Sequence, residues 1–165
     1  MAVETLYGSL IATPVYNTVP KEKADGAIQS GRLRRVVDTV EASAGASQTS
    51  KYYLGDIPSN AVIDPDLSKL HFDDLTATGA PTLDIGVEEA DGTVHDTALG
   101  NGADCTSAGS VSVGASDIAD YGKAVWELAG LSSDPGGLMK MYVTVQDAAV
   151  DTGGTITLRV VYAGK

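Results

Sequence analysis

The sequence predicts an all-β protein, a jelly-roll-like antiparallel β-sandwich of about eight strands with an extended N-terminal arm. Three observations carry this. From Leu33 onward the apolar residues recur mostly with period two, the spacing of a strand with one buried face. Short alternating segments are separated by turn-forming clusters such as Pro58-Ser59-Asn60, Asp91-Gly92 and Asp134-Pro135-Gly136-Gly137. Long irregular loops between them fit a jelly roll better than an up-and-down barrel, and no fixed-period repeat points to a solenoid or propeller.

Residues 1–30 read differently from the rest. Leu6, Leu10, Ile11, Val15, Tyr16 and Val19 are apolar, but Gly8, Pro14 and Pro20 interrupt any helix, and the polar run Lys21 to Gly26 follows. This is an extended segment that cannot bury its own apolar residues. It is either a frayed terminus or an arm that docks on a neighbouring subunit. The sandwich domain is expected over residues 31–165.

Arg32 to Val40 is rich in β-branched residues and predicts the first strand. A small-residue loop, Ala42 to Ser47, precedes a second strand over Thr49 to Ile57, and Ala61-Val62-Ile63 is a short apolar run. In Leu67 to Leu75, Leu70 and Phe72 share one face, opposed by His71 and Asp73. Thr82 to Glu88 places Leu83, Ile85 and Val87 on one face. Asp91-Gly92 makes a tight turn into a short partner strand at Thr93-Val94-His95. Leu99 to Gly114 is rich in Gly, Ser and Ala and reads as a long surface loop. Ser116 can cap one helical turn ended by Gly122. Ala124, Trp126 and Leu128 then alternate as a strand carrying the only Trp into the core, with a helix from Ser116 to Ala129 as the competing reading. Met139 to Val145 and Thr155 to Tyr162 have the clearest alternation, and the loop Gln146 to Gly154 joins them as an antiparallel pair.

Composition restricts function. The 165 residues suit one domain, and 43% hydrophobic content supports a packed core. With 11 Lys+Arg against 22 Asp+Glu, the net charge is −11, which argues against nucleic acid and anionic membrane as partners. Met1-Ala2-Val3-Glu4 does not open as a secretory leader, and no apolar run approaches the roughly 18–20 residues of a membrane span. The expectation is a chain made in the cytoplasm, kept there or carried out within a larger particle.

Little in the sequence points to catalysis. His71 and Asp73 share a strand face, a pair that can bind metal or polarise a nucleophile and that equally suits a solvated face. His95 follows a turn and is expected as an exposed loop residue. The single cysteine, Cys105, has no neighbouring cation to lower its pKa and is expected to be an unreactive thiol. The acidic clusters Asp64-Pro65-Asp66, Asp73-Asp74, Glu88-Glu89-Ala90-Asp91 and Asp147 to Asp151 do not match a calcium loop and read as solvated turn acids. The cations Arg32, Arg34 and Arg35 either pair with an acidic neighbour, in this chain or a partner, or form an ordinary solvated strand face. A cupin-like enzyme needs about three metal-ligating histidines, and the chain has two. The sequence therefore assigns no catalytic, cofactor-binding or metal-binding residue and implies no cofactor.

Several stretches resemble a family of small bacteriophage structural proteins. They are Tyr53 to Ile63 (YLGDIPSNAVI), Gly79 to Val87 (GAPTLDIGV), Tyr121 to Leu128 (YGKAVWEL), Ser133 to Gly137 (SDPGG) and Thr152 to Leu158 (TGGTITL). Together they span most of residues 50–162. The resemblance implies a virion component, a capsid decoration (cement) protein on the outer head surface that clamps adjacent capsomers. It further implies the major capsid protein as partner, a homotrimer, and no catalytic residues. A β-rich tail or adsorption module that binds a host receptor or glycan is the alternative.

Overall fold

The computed structural model describes residues 32–75, 79–114 and 117–164. The expected arm of residues 1–30 and the expected cap Ser116 lie outside them. The described residues hold nine strands: β1 (Leu33–Ala42), β2 (Lys51–Pro58), β3 (Ala61–Ile63), β4 (Lys69–Phe72), β5 (Thr82–Glu88), β6 (Val94–Asp104), β7 (Gly109–Ser112), β8 (Leu138–Gln146) and β9 (Gly154–Gly164). A 3-10 turn at Ile118–Asp120 and a one-turn helix α1 (Val125–Leu128) lie between β7 and β8.

The strands form two antiparallel sheets packed face to face. Sheet A runs β1-β9-β4-β7, with β3 continuing the line of β4 against β9, and sheet B runs β2-β8-β5-β6. The pairings β1–β9, β2–β8, β4–β7 and β5–β6 are nested, first with last, as in a single long hairpin rolled into a sandwich. This is the expected jelly roll.

Between the sheets lies one apolar core. Sheet B supplies Leu83, Ile85 and Val87 from β5 and Met139, Met141, Val143 and Val145 from β8; sheet A supplies Leu70, Phe72, Ile156, Leu158, Val160 and Tyr162. In β2, Leu54 and Ile57 both reach this core although they are three residues apart. One extra residue in β2 against β8, between Tyr53 and Asp56, makes this possible, and Gly55 adopts φ +91 there.

Four expectations are corrected. Met139 to Val145 and Thr155 to Tyr162 do not pair with one another. β8 bonds to β2 and β5, β9 bonds to β1 and β4, and residues 147–153 cross from one sheet to the other. Both strands alternate because each lines the same core from opposite sides. Second, Leu99 to Gly114 is no surface loop: β6 continues to Asp104 and β7 occupies Gly109–Ser112. Glycine suits that stretch because a Cβ at Gly100 would lie 3.0 Å from Ile85 Cδ1. Third, Trp126 sits in helix α1 and is only partly buried, whereas Val125 enters the core. The turn is helical because the Glu127 carboxylate accepts from the Ala124 amide at 2.7 Å, and the Trp126 amide donates to the Ser59 carbonyl. Asp117 accepts from the Ala119 amide and caps the 3-10 turn. Fourth, the short strand expected at Thr93 to His95 is the start of an 11-residue strand.

Candidate interaction surface

The side chains considered for chemistry are dispersed. His71 is exposed on the outer face of β4, registered with Thr157 and Ser110. Asp73 accepts instead from the Thr155 amide at 2.9 Å. His95 is not a free loop residue. It is part-buried on β6, and its Nε2 lies 2.8 Å from Glu89 Oε1. The turn acids are engaged: Asp64 accepts from the Asp66 and Leu67 amides of its own turn, and Asp147 accepts from the Thr82 hydroxyl of β5. Asp91 accepts from the Thr93 amide, a bond that lowers its pKa. Among the described residues, no group of three or more His, Cys, Asp or Glu is placed to hold a metal ion.

Cys105 is fully buried and donates to the Pro81 carbonyl. Burial, with Asp104 adding to it, pushes the thiol up to about 11. At pH 8 the thiolate fraction then falls on the order of a hundredfold below that of a free cysteine. We expect thiol reagents to modify Cys105 at least that much more slowly in native protein than in urea, as followed by reagent absorbance.

The outer face of sheet B is neutralised internally. Tyr142 is fully buried although it belongs to this face, because β6 bulges over it: Val87 is registered with His95 and Ile85 with Gly100. The Tyr142 hydroxyl donates to Asp96 at 2.7 Å, and Lys51 bonds to Asp96 at 3.1 Å while lying 4.3 Å from the Tyr142 ring centre. Burial, seconded by that hydrogen bond, raises the Tyr142 pKa, and the same bond lowers that of Asp96. Tyr53 and Lys140 both donate to Glu88 and hold its carboxyl below the usual range.

Sheet A presents a different surface. Val36 and Val40 pack on the core, so Leu33, Arg35, Val37, Thr39 and Glu41 of β1 face outward. The Thr39–Thr157 hydroxyl contact and the bond from Thr155 to Glu41 fix that orientation. By register, Arg159 of β9 lies between Val37 and Lys69. Leu33 and Val37 are 55% and 51% exposed and flank Arg35 on the same face of β1. The Arg32, Arg34 and Arg35 cluster is thus an exposed edge of this sheet, and no described carboxylate forms an ion pair with it.

More exposed apolar side chains lie at the end of the sandwich where β5 turns into β6 and where residues 113–137 run between β7 and β8. They are Ile118, Tyr121, Leu138 and Val94. A cleft of about 450 Å³ opens between β6 and that connection, lined by Thr97, Leu99, Asn101, Asp120, Lys123 and Glu127. Lys123, the one cation among its described lining residues, is held by Asp120 at 2.8 Å.

No family model and no curated protein sequence matches the chain. Solved structures do. A chain of the cyanophage Pam1 capsid asymmetric unit matches 92% of this chain and 99% of its own length, with a TM-score of 0.59 and 18% identity. A chain of the capsid of Ralstonia phage GP4 matches 82% of this chain and 86% of its own, with a TM-score of 0.59 and 21% identity. A chain of infectious bursal disease virus, Gx strain, matches 92% of this chain but 37% of its own, with a TM-score of 0.50 and 13% identity. At these identities the likeness is one of fold: the chain is built as a jelly-roll sandwich of the kind present in two phage capsids.

Proposed function

We propose that this chain is a virion structural protein without enzymatic activity, a decoration protein that binds the outer surface of a phage head and cements adjacent capsomers. The observation that carries the reading is the match to nearly the whole of a capsid chain about as short as this one. A chain of that size, matched end to end, supports a small separate capsid component. The proposed partners are the major capsid protein and two further copies in a homotrimer, with synthesis in the host cytoplasm. Residues 1–30 would act as an arm. A standard interface of about 1,600 Å² is more than a flat sheet face of this size supplies, so an arm and edges would add contact area.

Immunogold labelling of intact particles of the encoding phage tests the reading. Gold distributed over the head is the expected result. Gold confined to the tail would replace it with an adsorption module, and unlabelled particles would overturn both.

A further inference from the structure

The described cations are divided between the two sheets and the segments beside them. The described lysines of sheet B and its connections, Lys51, Lys123 and Lys140, are each ion-paired with a carboxylate. Those of sheet A, namely Arg34, Arg35, Lys69 and Arg159, together with Arg32 just before it, pair with no described carboxylate. This occurs in a chain with twice as many acids as bases.

The arrangement on sheet A is electrostatically unfavourable in isolation. Lys69 and Arg159 are direct cross-strand partners on the outer face, where like charges destabilise a sheet. Lys69 Nζ donates to the Ser112 hydroxyl, and the Arg159 Nε is buried without a hydrogen-bond partner among the described residues. The carboxylates nearest this face lie at its margins and are engaged. Glu41 and Asp73 both hold Thr155, and Asp64 holds its own turn. Two exposed apolar side chains, Leu33 and Val37, flank the cations.

We propose that the outer face of sheet A is the docking face of this protein and that its occupant is a carboxylate-bearing surface of a different protein chain. Arg35, Lys69 and Arg159 would receive the carboxylates, and Leu33 and Val37 would bury against apolar neighbours. Taking that chain to be the capsid shell protein rests on the function proposed above. A second copy of this chain fits less well. The carboxylates Asp96 and Glu88 on the outer face of sheet B are already paired with Lys51 and Lys140, and contact between the two opposite faces of the sandwich would be head-to-tail, giving an open stack in place of a closed assembly. Nucleic acid also fits less well. Among the described residues the outer face of sheet A carries no Phe, Tyr or Trp on which a base could stack, His71 being its one ring, and the net charge of −11 repels a polyanion.

The test is titration of the full chain onto shells of the encoding phage that lack it, at low and at physiological ionic strength. Arg35→Glu and Lys69→Glu are each expected to weaken binding about tenfold or more, and wild-type binding is expected to fall with salt. Lys69→Glu places a carboxylate against Arg159, so its thermal midpoint should equal or exceed that of the wild type, which separates lost docking from lost folding. Lys140→Ser, on the other sheet, should leave binding unchanged. Wild-type binding that survives both charge reversals would overturn the docking face and leave the decoration role standing. A folded wild-type chain that binds no shell would overturn both. Binding to duplex DNA lost on the same substitutions would replace the protein partner with nucleic acid.

Discussion

Replacing Gly86 by alanine is expected to destabilise the fold by about 3 kcal/mol, one of the largest effects available to a single methyl group in this chain. Gly86 is in the middle of β5, the strand between β8 and β6. A Cβ there would lie 2.7 Å from the His95 carbonyl oxygen and 2.7 Å from Tyr142 Cζ. Neither neighbour can yield cheaply. The carbonyl belongs to the β6 backbone at its bulge, and the Tyr142 ring is fixed by its hydroxyl bond to Asp96 and by Lys51 beside it. The methyl would have to push β6 off the sheet or expel the ring. Urea unfolding should show a lower midpoint with a similar slope. A loss below about 1 kcal/mol would mean that β6 does not lie over Gly86 as described. Alanine at Gly92, where nothing lies within 4 Å of the added atom, supplies the contrast, limited to the backbone term of its φ of +89.

Leu158→Ala should have a comparable effect by the opposite route, a cavity. Leu158 is fully buried on the central strand of sheet A, registered between Asp38 of β1 and Leu70 of β4, and it faces the inner residues of sheet B. Truncation removes transfer free energy and leaves a void that two hydrogen-bonded neighbours keep from collapsing. The expected loss is about 3 kcal/mol. For a domain of this size that lowers the thermal midpoint by roughly 10 °C. Leu33→Ala, on the exposed outer face, should fall within about 0.5 kcal/mol of wild type. Equal losses for the two variants would contradict the assignment of inner and outer faces.

The elements readable from the sequence were those whose local pattern is decided by burial. β8 and β9 alternate strictly because every second residue meets the core, and Asp91-Gly92 and Asp134 to Gly137 fall at turns because their residues tolerate the required backbone. β6 and β7 were missed for the converse reason. Val94 to Asp104 holds glycines at 100 and 102, and its residues 96–99 bulge over sheet B, so its side chains do not alternate. Around Trp126 five residues of alternation fit a strand and a helical turn equally, and a contact with Ser59, remote in sequence, decided the outcome. Pairing was the least legible feature. Nothing local tells β8 that its neighbours are β2 and β5. The basic face of sheet A was hidden likewise. Arg35 is conspicuous beside Arg34, but Lys69 and Arg159 join it on the outer face only through the registers of β4 and β9.

The nested pairing also governs how the chain can acquire its structure. Leu33 is registered with Ala163, so β1 has no partner until residue 163 has been synthesised. The same holds, less severely, for β2 and for β4. Only β5 and β6, joined by the turn around Asp91-Gly92, can close locally, and every later pairing must overcome the loop entropy of a longer intervening segment. Such a topology folds late and slowly, in the range of milliseconds to seconds or longer, and exposes apolar strands while it waits. An excess of negative charge spread over the chain keeps those unfinished copies apart. The acidity therefore protects the nascent chain, while Arg35, Lys69 and Arg159 gather on one face only when sheet A is complete.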